Sequence, residues 1–329
     1  MRDEEIRRTR LHSQRLAGNP VATVEEAVAH LVGVQAQSMP PARLALRPRT
    51  TGTTASDVDR ADLVRTWAMR GTLHLLAAAD AQWIVELFGP ITRAAGRRRR
   101  EQLGLDEDLC ERALPAIEQV LRATGPLPRA ALIERLAGDG IHVDPSTQAP
   151  AHLMLYAATH GLICRGADDT YRLGAERLHG VRSVRANRPA DPVAELARRY
   201  LAAYHPAAAA DFIAWSGLPS AVARRAFEAT VDEAAGVPDG EPRPTLLGHW
   251  DTLLLGYRRR DAFLDPSHAR AVQAGGGILR PIVLVDGRVV GTWRLERGTV
   301  RVEPFGTLPR GSRAGLDAEI ADIDRYLSV

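Results

Sequence analysis

Three amphipathic helices followed by a short β element constrain this chain more than any other feature, because the order recurs. Residues 114–124 (LPAIEQVLRAT), 126–138 (PLPRAALIERLAG) and 150–166 (PAHLMLYAATHGLICRG) carry apolar residues at helical spacing. DDTYRL at 168–173 then reads as a short strand after an Asp-Asp turn. This is the order of a winged helix, in which the third helix is presented and a hairpin flanks it. A second trio spans 192–206, 207–218 and 219–231, and its middle helix aligns with residues 127–139 as the matching part of a repeat. Asp211 and Ser220 stand where helix starts need a capping oxygen. The N-terminal part fits a third copy: EIRRTRLHSQRLAG, then TVEEAVAHLVGV with Thr23 and Glu26 in capping-box register, then ADLVRTW. The expected class is α+β, mainly α, with motifs over 1–108, 109–187 and 188–329 and a β-rich C-terminal part.

The β signals are local. After Arg65, Trp67, Met69, Leu73 and Leu75 alternate with Thr66, Arg70, Thr72 and His74, the period of a half-buried strand with an unusually polar outer side. In the last ninety residues Asp286-Gly287 marks a two-residue hairpin, and SRAGLDAEIADIDRYLSV closes the chain as a helix. Gly275 to Gly277 lack the following Lys-Ser/Thr and helix start of a phosphate-binding loop.

Composition narrows the partners. The hydrophobic fraction of 45% and the charged fraction of 25% are those of a globular protein, without an apolar run able to span a bilayer. MRDEEIRRTR has neither the apolar core nor the cleavage site of an export signal, so a cytoplasmic protein is expected. Cys110 and Cys164 lack partners at metal-ligand spacing and read as buried thiols, with no metal or cofactor implied. All 43 basic residues are arginine and none is lysine. An arginine-only set suits phosphate and bases, although GC-rich coding, with Ala, Gly and Pro also abundant, is the explanation that composition favours, and either way the chain has no side-chain amine for covalent catalysis.

Gln35 and Gln37 face the same way only if the backbone is extended, since on a helix they would diverge by about 200°. Gly33 can end the preceding helix, and Pro40-Pro41 is expected to delay the next one, which leaves room for an extended segment. On spacing alone the two amides read either as solvated loop residues or as a paired site.

VGVQAQSMPP, RTWAMRGTLHLL, AAAADFIAWSGLP, WDTLLLGYRRR and ILRPIVLVDGRVVGTWR together resemble the AlkZ/YcaQ family of bacterial DNA glycosylases, over nearly the whole chain. The resemblance implies tandem winged-helix motifs in a C-shaped arrangement around a concave DNA-binding surface. The Gln-x-Gln pair is similar to the AlkZ branch; the YcaQ branch has Gln-x-Asp. It implies that Gln35 and Gln37 are the catalytic pair for removing N7-alkylated guanine, bulky or crosslinked adducts included, from double-stranded DNA. It also implies a monomer acting in base excision repair or antibiotic self-resistance.

His74, Arg70 and Thr72 are accessory candidates near the lesion or a phosphate, and His74 reads equally as a satisfied support of the wing. Arg97, Arg98, Arg99 and Arg100, with Arg258 and Arg259, are candidates for phosphate contact, although such runs also occur as solvated helix ends. The family engages DNA with a β-hairpin. Arg280, Arg288 and Arg294 near Asp286-Gly287 are candidates for that role if the turn does more than close a sheet. Two rivals remain at this level: a winged-helix regulator that binds DNA without chemistry, and a resistance protein that sequesters the free drug.

Overall fold

Helical periodicity becomes helices at Asp3–Ser13, Val24–His30, Met39–Leu46, Ala55–Arg60, Ala78–Gln102, Glu107–Thr124, Arg129–Gly138, Ala149–Thr159, Pro192–Tyr204, Ala209–Ser216, Ser220–Glu228 and Ser312–Leu327, with shorter turns between them. The strands are β1 (Val34–Gln35), β2 (Leu63–Trp67), β3 (Leu73–Ala77), β4 (Ile163–Arg165), β5 (Tyr171–Leu173), β6 (Thr245–Leu247), β7 (Ile282–Val285), β8 (Arg288–Glu296) and β9 (Thr299–Pro304). The structure, a computed structural model, describes residues 3–174, 188–230 and 243–328. Contacts gather the chain into two compact units, Asp62–Pro192 on one side and Met1–Ala61 with Val193–Val329 on the other. Of the three repeat divisions, 109–187 falls within the unit Asp62–Pro192. The first, 1–108, is split after Ala61, and the division at 187 lies outside the described residues.

In the unit Asp62–Pro192, the trio Glu107–Thr124, Arg129–Gly138 and Ala149–Thr159 precedes an antiparallel pair, β4 with β5. Ile117, Leu132, Leu136, Leu153 and Ile163 pack as its core. Here β3, β2, β4 and β5 lie in that order across a sheet. The long helix Ala78–Gln102 comes close to Thr159 at Gly89, where a Cβ would lie 2.3 Å from the Thr159 carbonyl oxygen, so only glycine fits.

Residues 66–75 form two strands. β2 pairs antiparallel with β3, placing Thr66 opposite His74, and the chain reverses through Met69–Gly71 with Arg70 at φ 56. The alternation of the sequence runs across this turn, and both sides of the strands are buried, so the segment is not half-buried as expected. ADLVRTW is therefore strand and not a third helix. The helix that follows Val24–His30 is Met39–Leu46, because Pro40 and Pro41 occupy its first turn, where no amide hydrogen is needed. The prolines start this helix; they do not delay it.

In the other unit, β6, β7, β8 and β9 form an antiparallel sheet packed on Ser312–Leu327 through Leu246, Val283, Trp293, Leu316 and Ile323. Tyr200, Tyr204, Phe212 and Trp215 form an aromatic core with ring centroids 4.9–6.1 Å apart. Thr23 and Glu26 form the capping box read from the sequence. Asp211 sits in the first turn of its helix and accepts from the Ala208 amide, whereas Ser220 is already the first helical residue and caps nothing. Cys110 and Cys164 are buried thiols that form no disulfide.

Candidate active site

The Gln-x-Gln segment is fixed at both ends. Val24–His30 closes with paired bonds from the Val32 amide to the Ala29 carbonyl and from the Gly33 amide to the Val28 carbonyl, a Schellman arrangement. Its left-handed position is taken by Val32 at φ 58, not by a glycine, and Gly33 continues at φ 104. A β-branched residue in this region costs on the order of 1–3 kcal/mol and persists only where its surroundings impose it. Those surroundings are visible: Val32 is buried, and Tyr204 donates from its hydroxyl to the Leu31 carbonyl at 3.1 Å. Burial then alternates with Val34 in, Gln35 half-exposed, Ala36 in and Gln37 exposed, before Ser38 opens the helix Met39–Leu46. The strand β1 ends at Gln35 and the chain bends at Gln37 and Ser38, and through this short stretch both glutamines are more exposed than Val34 and Ala36.

The same compact unit holds a buried ion pair. Arg49 donates to both carboxylate oxygens of Asp251, at 2.8 and 2.9 Å, to the Thr252 hydroxyl and to the Gln14 and Ala45 carbonyls, and both charged side chains are 0% exposed. Asp251 also caps the short helix Thr252–Leu255 through the Leu253 amide. Neither residue was singled out from the sequence, since they stand 202 positions apart. Just before Asp251, Gly248 abuts the helix that follows the glutamines: a Cβ there would lie 3.1 Å from the Leu44 Cβ. Trp250 takes φ 53, another left-handed non-glycine residue.

His74, Arg70 and Thr72 belong to the other compact unit. His74 is 3% exposed, and its Nδ1 donates to the Thr72 carbonyl at 2.9 Å. Burial, and secondarily the nearby Arg70 charge, push its pKa down to about 3. The ring is neutral at neutral pH, so the suggested phosphate contact loses its electrostatic basis; packing within the hairpin accounts for the residue. Arg70 is exposed at the turn, and the Thr72 hydroxyl donates to the Met69 carbonyl. Because the unfolded chain takes up a proton near 6.5 that the fold refuses until about 3, stability is complete above 6.5 and falls as the pH drops through that window. We expect the melting temperature to fall less between pH 7 and pH 5 in His74→Gln than in the wild type; equal falls would show that His74 does not couple folding to protons.

The arginine candidates separate. Arg97, Arg98 and Arg99 are exposed, whereas Arg100 is buried, lies over the Tyr156 ring at 4.8 Å and faces Glu107 at 3.6 Å. Arg100 is thus a packing residue and not a phosphate contact, because four consecutive helical residues cannot all point outward. Arg258 and Arg259 are exposed, and Arg259 pairs with Asp261. Arg280 and Arg288 are exposed, and Arg294 is held by Glu296 and Glu303. The Asp286-Gly287 turn forms as expected, with φ 49 and 71, but its tip packs on the N-terminal helix: a Cβ on Gly287 would lie 2.8 Å from Leu11 Cδ1. Gly287 is thus covered by Leu11, while Asp286 and Arg288 on either side of it are exposed. The next turn, Arg297-Gly298 between β8 and β9, is exposed beside Leu295, and nothing lies within 4 Å of where a Gly298 Cβ would stand. An Arg-Gly pair after alternating residues was the available sequence signal for it.

Among the described residues, no cluster of three or more His, Cys, Asp or Glu side chains could hold a metal ion, and no helix is long and apolar enough to cross a membrane.

A family model described as DNA glycosylase AlkZ-like matches residues 28–326. The chain belongs to this family. The interstrand DNA cross-link repair glycosylase of Streptomyces sahachiroi is 29% identical over 364 aligned positions, which cover 97% of this chain and 95% of that protein. The solved structure of Streptomyces sahachiroi DNA glycosylase AlkZ is 25% identical, with a TM-score of 0.80 over 99% of this chain and 96% of that one. The AlkZ-like protein described here is accordingly a DNA glycosylase with the mixed helical and β fold of its relatives.

Proposed function

We propose that this glycosylase excises N7-alkylated guanine from duplex DNA, bulky and crosslinked adducts included, with Gln35 and Gln37 as its catalytic pair. The observation that supports the reading is the alternating burial around β1, which leaves Gln35 half-exposed and Gln37 exposed while Val34 and Ala36 are buried. Alkylation at N7 leaves the purine cationic, so cleavage of the bond from C1′ to N9 returns the electron pair to the ring and releases a neutral base without prior protonation. Positive charge then develops on the deoxyribose. A preorganised carbonyl oxygen stabilises that charge and orients the attacking water, whose oxygen bonds to C1′ while its proton passes to solvent. A neutral amide is a poor base, so the pair positions and stabilises and does not abstract a proton fully. The interstrand cross-link repair named for the Streptomyces sahachiroi relative favours a surface that tolerates large lesions.

The chain has no lysine, so it lacks the side-chain amine with which lyase-active glycosylases form a Schiff base. We assign it a monofunctional reaction, carried out by a cytoplasmic monomer in DNA repair or self-resistance. Arg97, Arg98, Arg99, Arg258, Arg259, Arg280, Arg288 and Arg294 are exposed candidates for phosphate contact, with Arg97, Arg259 and Arg294 paired to carboxylates in the free protein. The role of probing hairpin passes from Asp286-Gly287 to the free tip at Arg297-Gly298. On a duplex carrying N7-methylguanine, the expected products are free base and an abasic strand that breaks only after alkali. Strand breakage without alkali would overturn the monofunctional assignment, and absence of free base would overturn the substrate.

A further inference from the structure

Trp250 combines features that the glutamine segment does not require. Its backbone lies in the left-handed region at φ 53, where an indole-bearing residue rarely stays, yet its ring is only half-buried. The segment is strapped on each side. Gly248 abuts Leu44, His249 Nδ1 donates to the Leu279 carbonyl at 2.9 Å, and Asp251 is locked to Arg49. The indole Nε1 donates to the Gly277 carbonyl at 2.9 Å, which fixes the ring against the loop Gly275 to Gly277. Those glycines all have positive φ, 86, 55 and 79, and no atom lies within 4 Å of where their Cβ atoms would stand, so the backbone there is open to close approach. The next residue, Ile278, is 43% exposed, one of three exposed large apolar side chains among the described residues. Thus an indole with its polar edge satisfied, an apolar neighbour and a bare glycine backbone share one surface next to the helix that begins two residues after Gln37.

A ring held this way offers a flat π-face at little entropic cost. The polyanionic substrate of a DNA glycosylase presents one matching chemistry, the face of an unstacked base. We propose that Trp250 is a DNA-contacting residue whose indole stacks on a base exposed beside the lesion, with Ile278 as its apolar flank. This rests on the proposed glycosylase reaction for its setting, but it is tested through DNA binding as well as turnover. The stacking exists before and during bond cleavage, so it supports binding uniformly and sets KM more than kcat.

The test compares wild type, Trp250→Phe and Trp250→Ala on a duplex carrying N7-methylguanine, by steady-state excision and by tryptophan fluorescence during DNA titration. Trp83, Trp215 and Trp293 are buried and Trp67 is half-buried and present in both proteins, so the difference in DNA-dependent quenching between wild type and Trp250→Phe isolates Trp250. Expected are a rise in KM of about tenfold or more in Trp250→Ala at nearly constant kcat, KM close to wild type in Trp250→Phe, and quenching lost in Trp250→Phe. A fall in kcat at constant KM, or the same quenching in wild type and Trp250→Phe, overturns the proposal. The phenylalanine variant keeps the question decidable if the alanine variant fails to fold. If wild type quenches on DNA but releases no base, the contact stands and the assigned reaction fails; if it releases base without quenching, the reverse holds.

Discussion

Replacing Gln35 and Gln37 together by alanine is expected to lower the excision rate of N7-methylguanine by about 10³-fold or more while duplex affinity stays within a few-fold of wild type. The magnitude follows from the loss of preorganised electrostatic stabilisation at a developing charge, where one donor or acceptor is worth about 10²–10³ in rate. The selectivity follows from position: Gln37 is exposed and Gln35 half-exposed beside buried Val34 and Ala36, so truncating the amides leaves the supporting fold intact. The two single variants should each lose about 10²-fold, and their effects are not expected to multiply, since both groups act on one water and one sugar. Gln37→Asp is the informative companion. A carboxylate there can accept the proton of the water, so this variant should retain more activity than Gln37→Ala and should lose it as the pH falls through the carboxylate range near 4. Single-turnover excision with a parallel DNA-binding titration measures all of these. Unchanged excision in the double variant removes the site assignment, and a matching collapse of DNA binding moves the pair from chemistry to recognition.

The helical trio at 107–159 was legible because amphipathic periodicity needs no distant information, and Asp286-Gly287 because a tight turn needs both residues at positive φ. The short strand at Val34–Gln35 follows the extended segment that the spacing after Gly33 leaves room for, although the chain already bends at Gln37. Other features stay hidden where the deciding partner is remote or where one residue type serves two roles. Proline both breaks helices and starts them, and Pro40 and Pro41 stand in the first turn of Met39–Leu46. The β2–β3 turn hides inside the alternation although Gly71 marks it, because Arg70 takes a left-handed position ahead of that glycine. Arg100 could have been recovered, since at about 100° per residue one of four consecutive arginines must turn inward. The covered tip at Gly287 could not, because its neighbour Leu11 lies at the other end of the chain.

Arg49→Ala is expected to destabilise the unit Met1–Ala61 with Val193–Val329 by about 3–5 kcal/mol, among the largest effects of any single substitution in this chain. The guanidinium is fully buried and donates to both oxygens of Asp251, to the Thr252 hydroxyl and to the Gln14 and Ala45 carbonyls, so truncation strands a carboxylate and several acceptors away from water. A surface pair such as Arg60 with Asp57 contributes little by comparison, because water replaces either partner. Removing the carboxylate alone, as Asp251→Ala, should cost a similar amount and also uncap Thr252–Leu255. Asp251→Asn keeps the cap acceptor and the shape but leaves the guanidinium without a counter-charge, and should fall between wild type and Asp251→Ala. A double-mutant cycle read by chemical denaturation separates the coupling from the separate losses. Coupling below about 1 kcal/mol would mean that the pair is a packing unit, with its hydrogen bonds to neutral groups carrying the stability. Coupling of several kcal/mol would make it the clamp that joins the segment before the first β-hairpin to the His249-Trp250-Asp251 turn. In that case Arg49→Ala should slow excision by displacing Trp250 and the glutamine segment, even at temperatures where the protein remains folded.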